Sequence, residues 1–504
     1  MTQWFRRWLW LVCAAGALTG CPHGVPAGGN FSPADAKAAA DVGGVAGPDA
    51  AADAAPGDVP VTADAANAEL PVVQTDVVTA DAKTGFDACG CASDSNCSGV
   101  ALGTCQVAKC GAGCKCTVGV APDGSACGGG FVCQSGKCLA APTPGPWAKS
   151  VAAGGSHSCA LHPGGTVSCW GSSWQGQLGN GSTDVDSPVP VPVGVLGPVT
   201  QLVAGSTHSC ALHSGGKVSC WGDRFNGQTG SGSNSGYATV PELAGTMADV
   251  LSIAAGTNSS FAVRNGATAW GWGNGNGGQL LQDTLASQSD PVQLASMLDV
   301  KSVCGGDHHA CALHNNGTVE CWGRNTDGQV GHGTTGQNEI VKAGLVDGVS
   351  GIANIACGHV NTCAWDDAGT VWCWGSNISG QLLTGNYGTS PVNAPLQLQG
   401  LVSVSALAAG QTHACALGKS GDIACWGDNA HGQCGGSSGG DAYKPVTISL
   451  GGKATAVSAG TQHTCAVRED GAVLCWGSNN SGQLGNAGKD DSATPVLVVG
   501  SAGK

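Results

Sequence analysis

The chain of 504 residues is poor in charge: 11% of it is Asp, Glu, Lys or Arg, and it holds only six Phe, three Tyr and three Met. So sparse a charge complement excludes long solvent-facing helices, whose outer faces are built from such residues. Basic residues are the scarcer sign, 20 against 34 acidic, giving a formal net charge of -14. That balance excludes a surface tracking nucleic acid phosphates, since no basic stripe is present to neutralise them. Long apolar runs are missing too, and Trp8–Leu18 is too short to span a bilayer. No HExxH, Walker loop or carboxylate pair of catalytic spacing occurs. What the chain has in quantity is glycine, 85 residues, and cysteine, 27 residues, a composition suited to turn-rich β structure held by oxidised thiols.

Arg6 and Arg7 followed by the apolar run read as an export signal. The next residues, Leu18-Thr19-Gly20-Cys21, resemble a bacterial lipobox. The resemblance implies a signal peptide over 1–20 and a diacylglyceryl group on the Cys21 thiol. With Pro22 rather than Asp after the cysteine, it also implies an outer-membrane lipoprotein, periplasmic or surface-exposed. An ordinary cleaved signal with a chance cysteine is the alternative. Residues 21–86 then form a tether rich in Ala, Asp and Pro, without sustained helical or strand periodicity. Eight Asp and one Glu against Lys37 and Lys83 place half of the net charge here and predict an extended, disordered segment spanning roughly 45 Å.

Ten cysteines between Cys89 and Cys138 mark a third segment, 87–141. Their even number, in an exported chain, predicts a small disulfide-stapled module of undetermined pairing. Its end, from Gly124 through Cys127 and Cys133 to Cys138, resembles the cysteine-knotted segments of disintegrin-like extracellular proteins. Zinc is the competing reading, although the pairs Cys89/Cys91 and Cys114/Cys116 lack CxxC spacing and no His accompanies them.

The remainder, 147–500, is self-similar. Trp170, Trp221, Trp272, Trp322, Trp374, Trp426 and Trp476 each precede Gly at intervals of 50 to 52 residues. Seven positions beyond each stands a Gln: Gln177, Gln228, Gln279, Gln329, Gln381, Gln433 and Gln483. Short alternating apolar runs broken by Gly and Asn predict about four strands per copy. The recurring His-x-Cys-Ala-Leu, Trp-Gly and Gly-Gln-Leu-Gly elements resemble the repeats of the regulator of chromosome condensation family, which implies an all-β, seven-bladed propeller. A single blade leaves two edges exposed and half a core unburied, so a closed ring is also the physical expectation. The first strand, Val-Ala-Ala, and the last, Pro-Val-Leu-Val, are expected to share one blade and latch the ring.

Six copies carry two cysteines ten apart: Cys159 and Cys169, Cys210 and Cys220, Cys311 and Cys321, Cys363 and Cys373, Cys415 and Cys425, Cys465 and Cys475. In the third copy both are replaced, by Phe261 and Gly271. Retention and loss in pairs predict six disulfides, each across a hairpin. Unpaired core thiols or a metal site using His157 are the alternatives, while Cys304, Cys357 and Cys434 stand outside the pattern, free or paired with each other. The repeated His157, His208, His309, His413 and His463, replaced by Ser259 and Asn361 in two copies, are expected to hydrogen-bond backbone between strands.

Specificity is expected where copies differ, just after Trp-Gly and in one long loop. Trp174, Arg224, Phe225, Tyr237, Arg324 and His431 are the candidate partner-binding residues, with ordinary varied surface as the alternative. The functional expectation is a monomeric binding scaffold on the cell envelope that presents a propeller face to a protein or polysaccharide and uses no cofactor or metal. Rival readings are an inhibitor of a secreted enzyme and an enzyme with carboxylates or His lining the tunnel. The family's nucleotide-exchange activity on a nuclear GTPase fits poorly with an exported, acidic chain. The Gly-Trp-Arg-His-Thr signature of related ultraviolet photoreceptors is absent.

Overall fold

The computed structural model describes residues 147–501, except 296, 337–339, 386, 387, 389, 402 and 438, together with the backbone of five short strands between Gln106 and Ala140. The leader, the tether and the cysteine pairing expected for 89–138 lie outside the described residues. The five short strands make a hairpin, Gln106–Gly111 with Lys115–Val120, and a three-stranded sheet of Ala126–Gly128, Phe131–Gln134 and Lys137–Ala140.

Between Ser150 and Leu497 the chain forms seven four-stranded antiparallel sheets, each taking its strands in sequence order. This is an all-β, seven-bladed propeller. In blade 1 the strands are Ser150–Ala153, His157–Leu161, Val167–Gly171 and Ser187–Pro192. The first strand of every blade lines the central tunnel. The second strand, flanked in its own sheet and covered on both faces, is buried over at least five consecutive residues, while the fourth is partly exposed along most of its length. One face of the ring carries the turn between strands 1 and 2 together with the long loop between strands 3 and 4, as the Ser172 N–H to Ser156 C=O bond of 2.8 Å shows. Tight turns such as Gly164-Gly165 lie on the opposite face, next to the start of the following blade.

The seven repeated Trp side chains are all completely buried. At roughly 200 Å² apiece, each contributes about 5 kcal/mol of transfer free energy. The Gly that follows each has φ between 95° and 108°, and an added Cβ at Gly171 would lie 2.6 Å from the Ser156 carbonyl oxygen. Only glycine supplies that backbone without strain, which is why the Trp never travels without it.

The six cysteine pairs ten apart are disulfides, each joining residues directly opposite one another in a hairpin. A seventh, Cys304–Cys357, runs between the first strands of blades 4 and 5. Cys434 is free and buried at the Leu position of Gly-Gln-Leu-Gly, with its thiol pKa pushed far up by burial and then by Asp428 and Asp441. In blade 3 the space of the missing disulfide is filled by the Phe261 ring, which reaches Gly271 opposite it and Gly305 on blade 4. A Cβ on Gly305 would collide with that ring, so the loss of two cysteines is matched by a third change in the next copy.

The expectation of a shared latch blade is corrected. Blade 7 takes all four strands from 454–497 and blade 1 all four from 150–192. The joint between them is hydrogen-bonded like the others, and the Ala148 N–H bonds the Gly471 carbonyl at 3.0 Å, so no strand exchange is required. Substituting Gly305→Ala should lower stability by roughly 1–3 kcal/mol in urea titrations, because the closely packed Phe261 ring must be displaced. Removing a methyl at the matching position of blade 2 with Ala204→Gly should cost less.

Candidate functional site

The repeated polar residues meet at the seams between blades. At the seam of blades 1 and 2, His157 Nε2 lies 2.8 Å from Ser209 Oγ, the Ser209 hydroxyl donates to the Gln177 carbonyl, and Trp221 Nε1 donates to the same carbonyl at 2.9 Å. The Gln177 side-chain oxygen accepts the Gln175 N–H and fixes its own turn. The same set recurs with His208 and Ser260, His309 and Thr362, His413 and Thr464, and His463 and Ser158, the last closing the ring. Because each hydroxyl hydrogen goes to a Gln carbonyl, the hydroxyl oxygen accepts from Nε2–H, and the other ring nitrogen keeps a bare lone pair.

The expectation that these His bond backbone is therefore corrected: their partners are side-chain hydroxyls on the next blade. The signal was present in the sequence. Ser259 and Asn361, which replace His, are followed one copy later by Ala310 and Ala414, which replace the hydroxyl. At those two seams, 3–4 and 5–6, the Trp-to-Gln carbonyl bond remains, and among the described residues Ser259 Oγ and both Asn361 amide atoms have no hydrogen-bond partner.

Burial holds these imidazoles far below their usual range: His157, His309 and His463 at about 3, and His208 and His413 at about 4. A proton added to Nδ1 would have no acceptor, since that atom is unpartnered in all five. They are framework, neutral near pH 7.

The tunnel offers a cavity of about 310 Å³ whose wall is small and apolar, with Leu202, Ile253, Ile355, Leu407 and Ala459 among its residues. Neither carboxylates nor imidazoles line that wall among the described residues. At the loop-face end it narrows to about 70 Å³ within a ring of Gly, Ala, Ser and Thr that also holds His359, where backbone bonds such as Ser206 N–H to Thr257 C=O pass from blade to blade. Polar chemistry collects at one point of this rim. His308 Nδ1 is 2.8 Å from Asp307 Oδ2, and the Asp307 N–H bonds the His359 carbonyl. Burial opposes the Asp307 charge, but the hydrogen bond from His308 and the nearby His308, His359 and Arg324 outweigh it and hold the carboxyl below its ordinary pKa.

Of the expected binding residues, Phe225 and Tyr237 come together on the loop face of blade 2, and Trp174 stands at the equivalent position of blade 1. Trp174 is 67% exposed and Phe225 55%. Both occupy the same loop-tip position in adjacent copies, joined through Gln175 Nε2 to Asp223 Oδ2 at 3.2 Å, while Tyr237 stacks edge-on against Phe225 at 5.5 Å. The other three are engaged elsewhere. Arg224 donates from Nη1 to both carboxylate oxygens of Glu242 and from Nε to the Ser235 carbonyl, which holds its own loop. His431 bridges to Asp491 on blade 7, and Arg324 belongs to the tunnel rim.

The profile of the RCC1-like domain matches residues 97–406, more than half of the chain, and RCC1 repeats match within 404–504. The chain belongs to the RCC1-like family. Among curated relatives it is similar to the ultraviolet-B receptor UVR8 of Arabidopsis thaliana, at 29% identity over 59% of this chain and 69% of the relative. The probable E3 ubiquitin-protein ligase HERC6 of Homo sapiens is 30% identical over 50% of this chain, but the match spans only 21% of that ligase. The solved structure of Prp20p from Saccharomyces cerevisiae shares the fold, with a TM-score of 0.60 at 19% identity over 70% of this chain and 87% of that one.

Two outcomes follow from the seams. Unfolded His titrates near 6.5, so below that pH the unfolded chain binds protons that the folded chain refuses. Stability should be full above pH 6.5 and fall as pH drops towards 4, by up to about 1.4 kcal/mol per pH unit for each buried His; urea midpoints at pH 7, 5.5 and 4.5 measure it. Ser209→Ala alone should cost roughly 1–3 kcal/mol by orphaning His157. Adding His157→Leu, which removes the orphaned imidazole N–H altogether, should recover part of that loss.

Proposed function

We propose that this protein is an exported, lipid-anchored scaffold that uses the loop face of its propeller to hold a protein or polysaccharide partner on the cell envelope. The observation that carries the reading is the exposed Trp174, Phe225 and Tyr237 group on adjacent blades. Large aromatics held outside the core are the side chains that anchor interfaces, because they bury much area while losing little conformational freedom. The loops around them are rich in Ser, Gly and Asn, a composition shared with antibody paratopes. A framework locked at every seam presents them without an ordering cost on binding.

The family supports a binding role. Prp20p is described by its binding to Gsp1p and histones, and yeast RCC1 in a complex with Kap60. For an acidic, exported chain the partner is expected to differ from those. The anchor rests on the lipobox-like Leu18-Thr19-Gly20-Cys21, and the disulfides suit an oxidising compartment.

Crosslinking in the producing cell, followed by recovery of the protein, tests the reading. A specific crosslinked species should form with the wild type and be reduced at least about tenfold in Trp174→Ala/Phe225→Ala, with urea stability unchanged. Equal crosslinking by the two proteins would overturn the assignment of the face. Metabolic labelling with a fatty acid should modify the wild type and spare Cys21→Ala.

A further inference from the structure

The seventh disulfide differs from the other six in place and in access. The cross-hairpin bonds lie inside their blades, with every cysteine at most 1% exposed. Cys304, 8% exposed, and the half-buried Cys357 instead sit on the innermost strands of blades 4 and 5, and both line the 310 Å³ tunnel cavity. The side chains of the wall beside them are uncharged, so no charge repels an entering thiolate there. A third sulfur stands close: the Sγ atoms of Cys304, Cys311 and Cys357 all lie within 4.8 Å of one another, and Cys311 is bonded to Cys321. The seam that this bond closes is also singular. It has a complete His309, Thr362, Gln329 and Trp374 set, whereas the seams on either side of the blade pair lack the His-to-hydroxyl bond.

We propose that Cys304–Cys357 is a thiol-exchange site that takes low-molecular-weight thiols through the tunnel. An entering thiolate attacks one sulfur of the pair, forms a mixed disulfide with it and expels the other cysteine as a thiolate. A second thiolate then releases the small molecule as its symmetric disulfide and leaves two cysteine thiols. The electrons come from the small thiols, and each step exchanges one S–S bond for another. The thiolate expelled in the first step has Cys311 within reach, so attack there forms a new S–S bond to Cys311 and frees Cys321 as the thiolate. Among the described residues the hairpin disulfides of the other blades have no third sulfur so placed, and none of their cysteines lines the tunnel cavity. Access therefore selects one region of the ring for exchange while the rest of the framework stays oxidised. This site is independent of whichever partner the loop face holds.

The test uses the folded full-length chain with 2-mercaptoethanol or glutathione at pH 8, quenched at intervals with an alkylating agent and mapped by peptide mass. Mixed disulfide or label should appear on Cys304 or Cys357, or on Cys321 after transfer, at least about tenfold faster than on the hairpin cysteines of blades 1, 2, 5, 6 and 7. In Cys304→Ser/Cys357→Ser this fast uptake should vanish, with the six hairpin disulfides still recovered in mapping as proof of folding. Uptake at another blade first, or equal uptake at all seven bonds, would overturn the proposal, as would persistence of the fast phase in the double variant. Loss of the loop-face partner would leave this result untouched.

Discussion

The hydrogen bond from each indole N–H to a Gln main-chain carbonyl of the preceding blade is the contact on which the ring depends. It occurs at all seven seams, is fully buried, and ties the largest apolar side chain of one blade to the turn of its neighbour. Burial of the ring supplies most of the free energy, while the bond fixes where the ring must sit and so how far each blade turns from the last. The His and hydroxyl pair adds to this carbonyl at five seams. Where it is missing, both members are missing, so no blade is left with an imidazole N–H pointing at a methyl group. The imidazole and its acceptor hydroxyl are lost together, and the smaller Ser259 and Asn361 that take the place of His stay buried there.

Much of this was legible in the chain before any coordinates. The Trp and Gln register fixes the number of blades because a two-residue drift over seven copies leaves no room for another. The paired cysteines declare their bonds because blade 3 lacks both. The His partners were harder to see: Ser158, Ser209 and Ser260 look like ordinary small residues until each is compared with the copy before it, and the relevant pair is split across about 50 residues. Gly305 is harder still, since nothing local marks it as the space for a Phe two strands away. The shared blade failed as an expectation because strand-like ends are compatible with either closure, and only the hydrogen bonding of the last seam decides between them.

The candidate binding face shows the same division. Position alone grouped Trp174 with Phe225, because both stand three residues after a Trp-Gly in adjacent copies. Sequence could not tell that Arg224 is spent on Glu242 or that His431 is tied to Asp491, since charge pairing across a loop depends on how the loop folds back. Exposure separates an aromatic that is offered from a charged side chain that is engaged.

The closing seam has the same bonds as four of the seams inside the ring. His463, Ser158, Gln483 and Trp170 repeat the set found between blades 1 and 2. A ring whose closing joint is built like a joint inside the chain has no mechanical beginning: the force that holds blade 7 to blade 1 does not depend on a peptide link between them. Joining the two ends by a short linker and opening the chain in another turn of the tight-turn face would leave every joint in place. The order in which the blades are read from the gene is then an accident of descent, while the circle itself is what the physical chemistry of the repeat specifies.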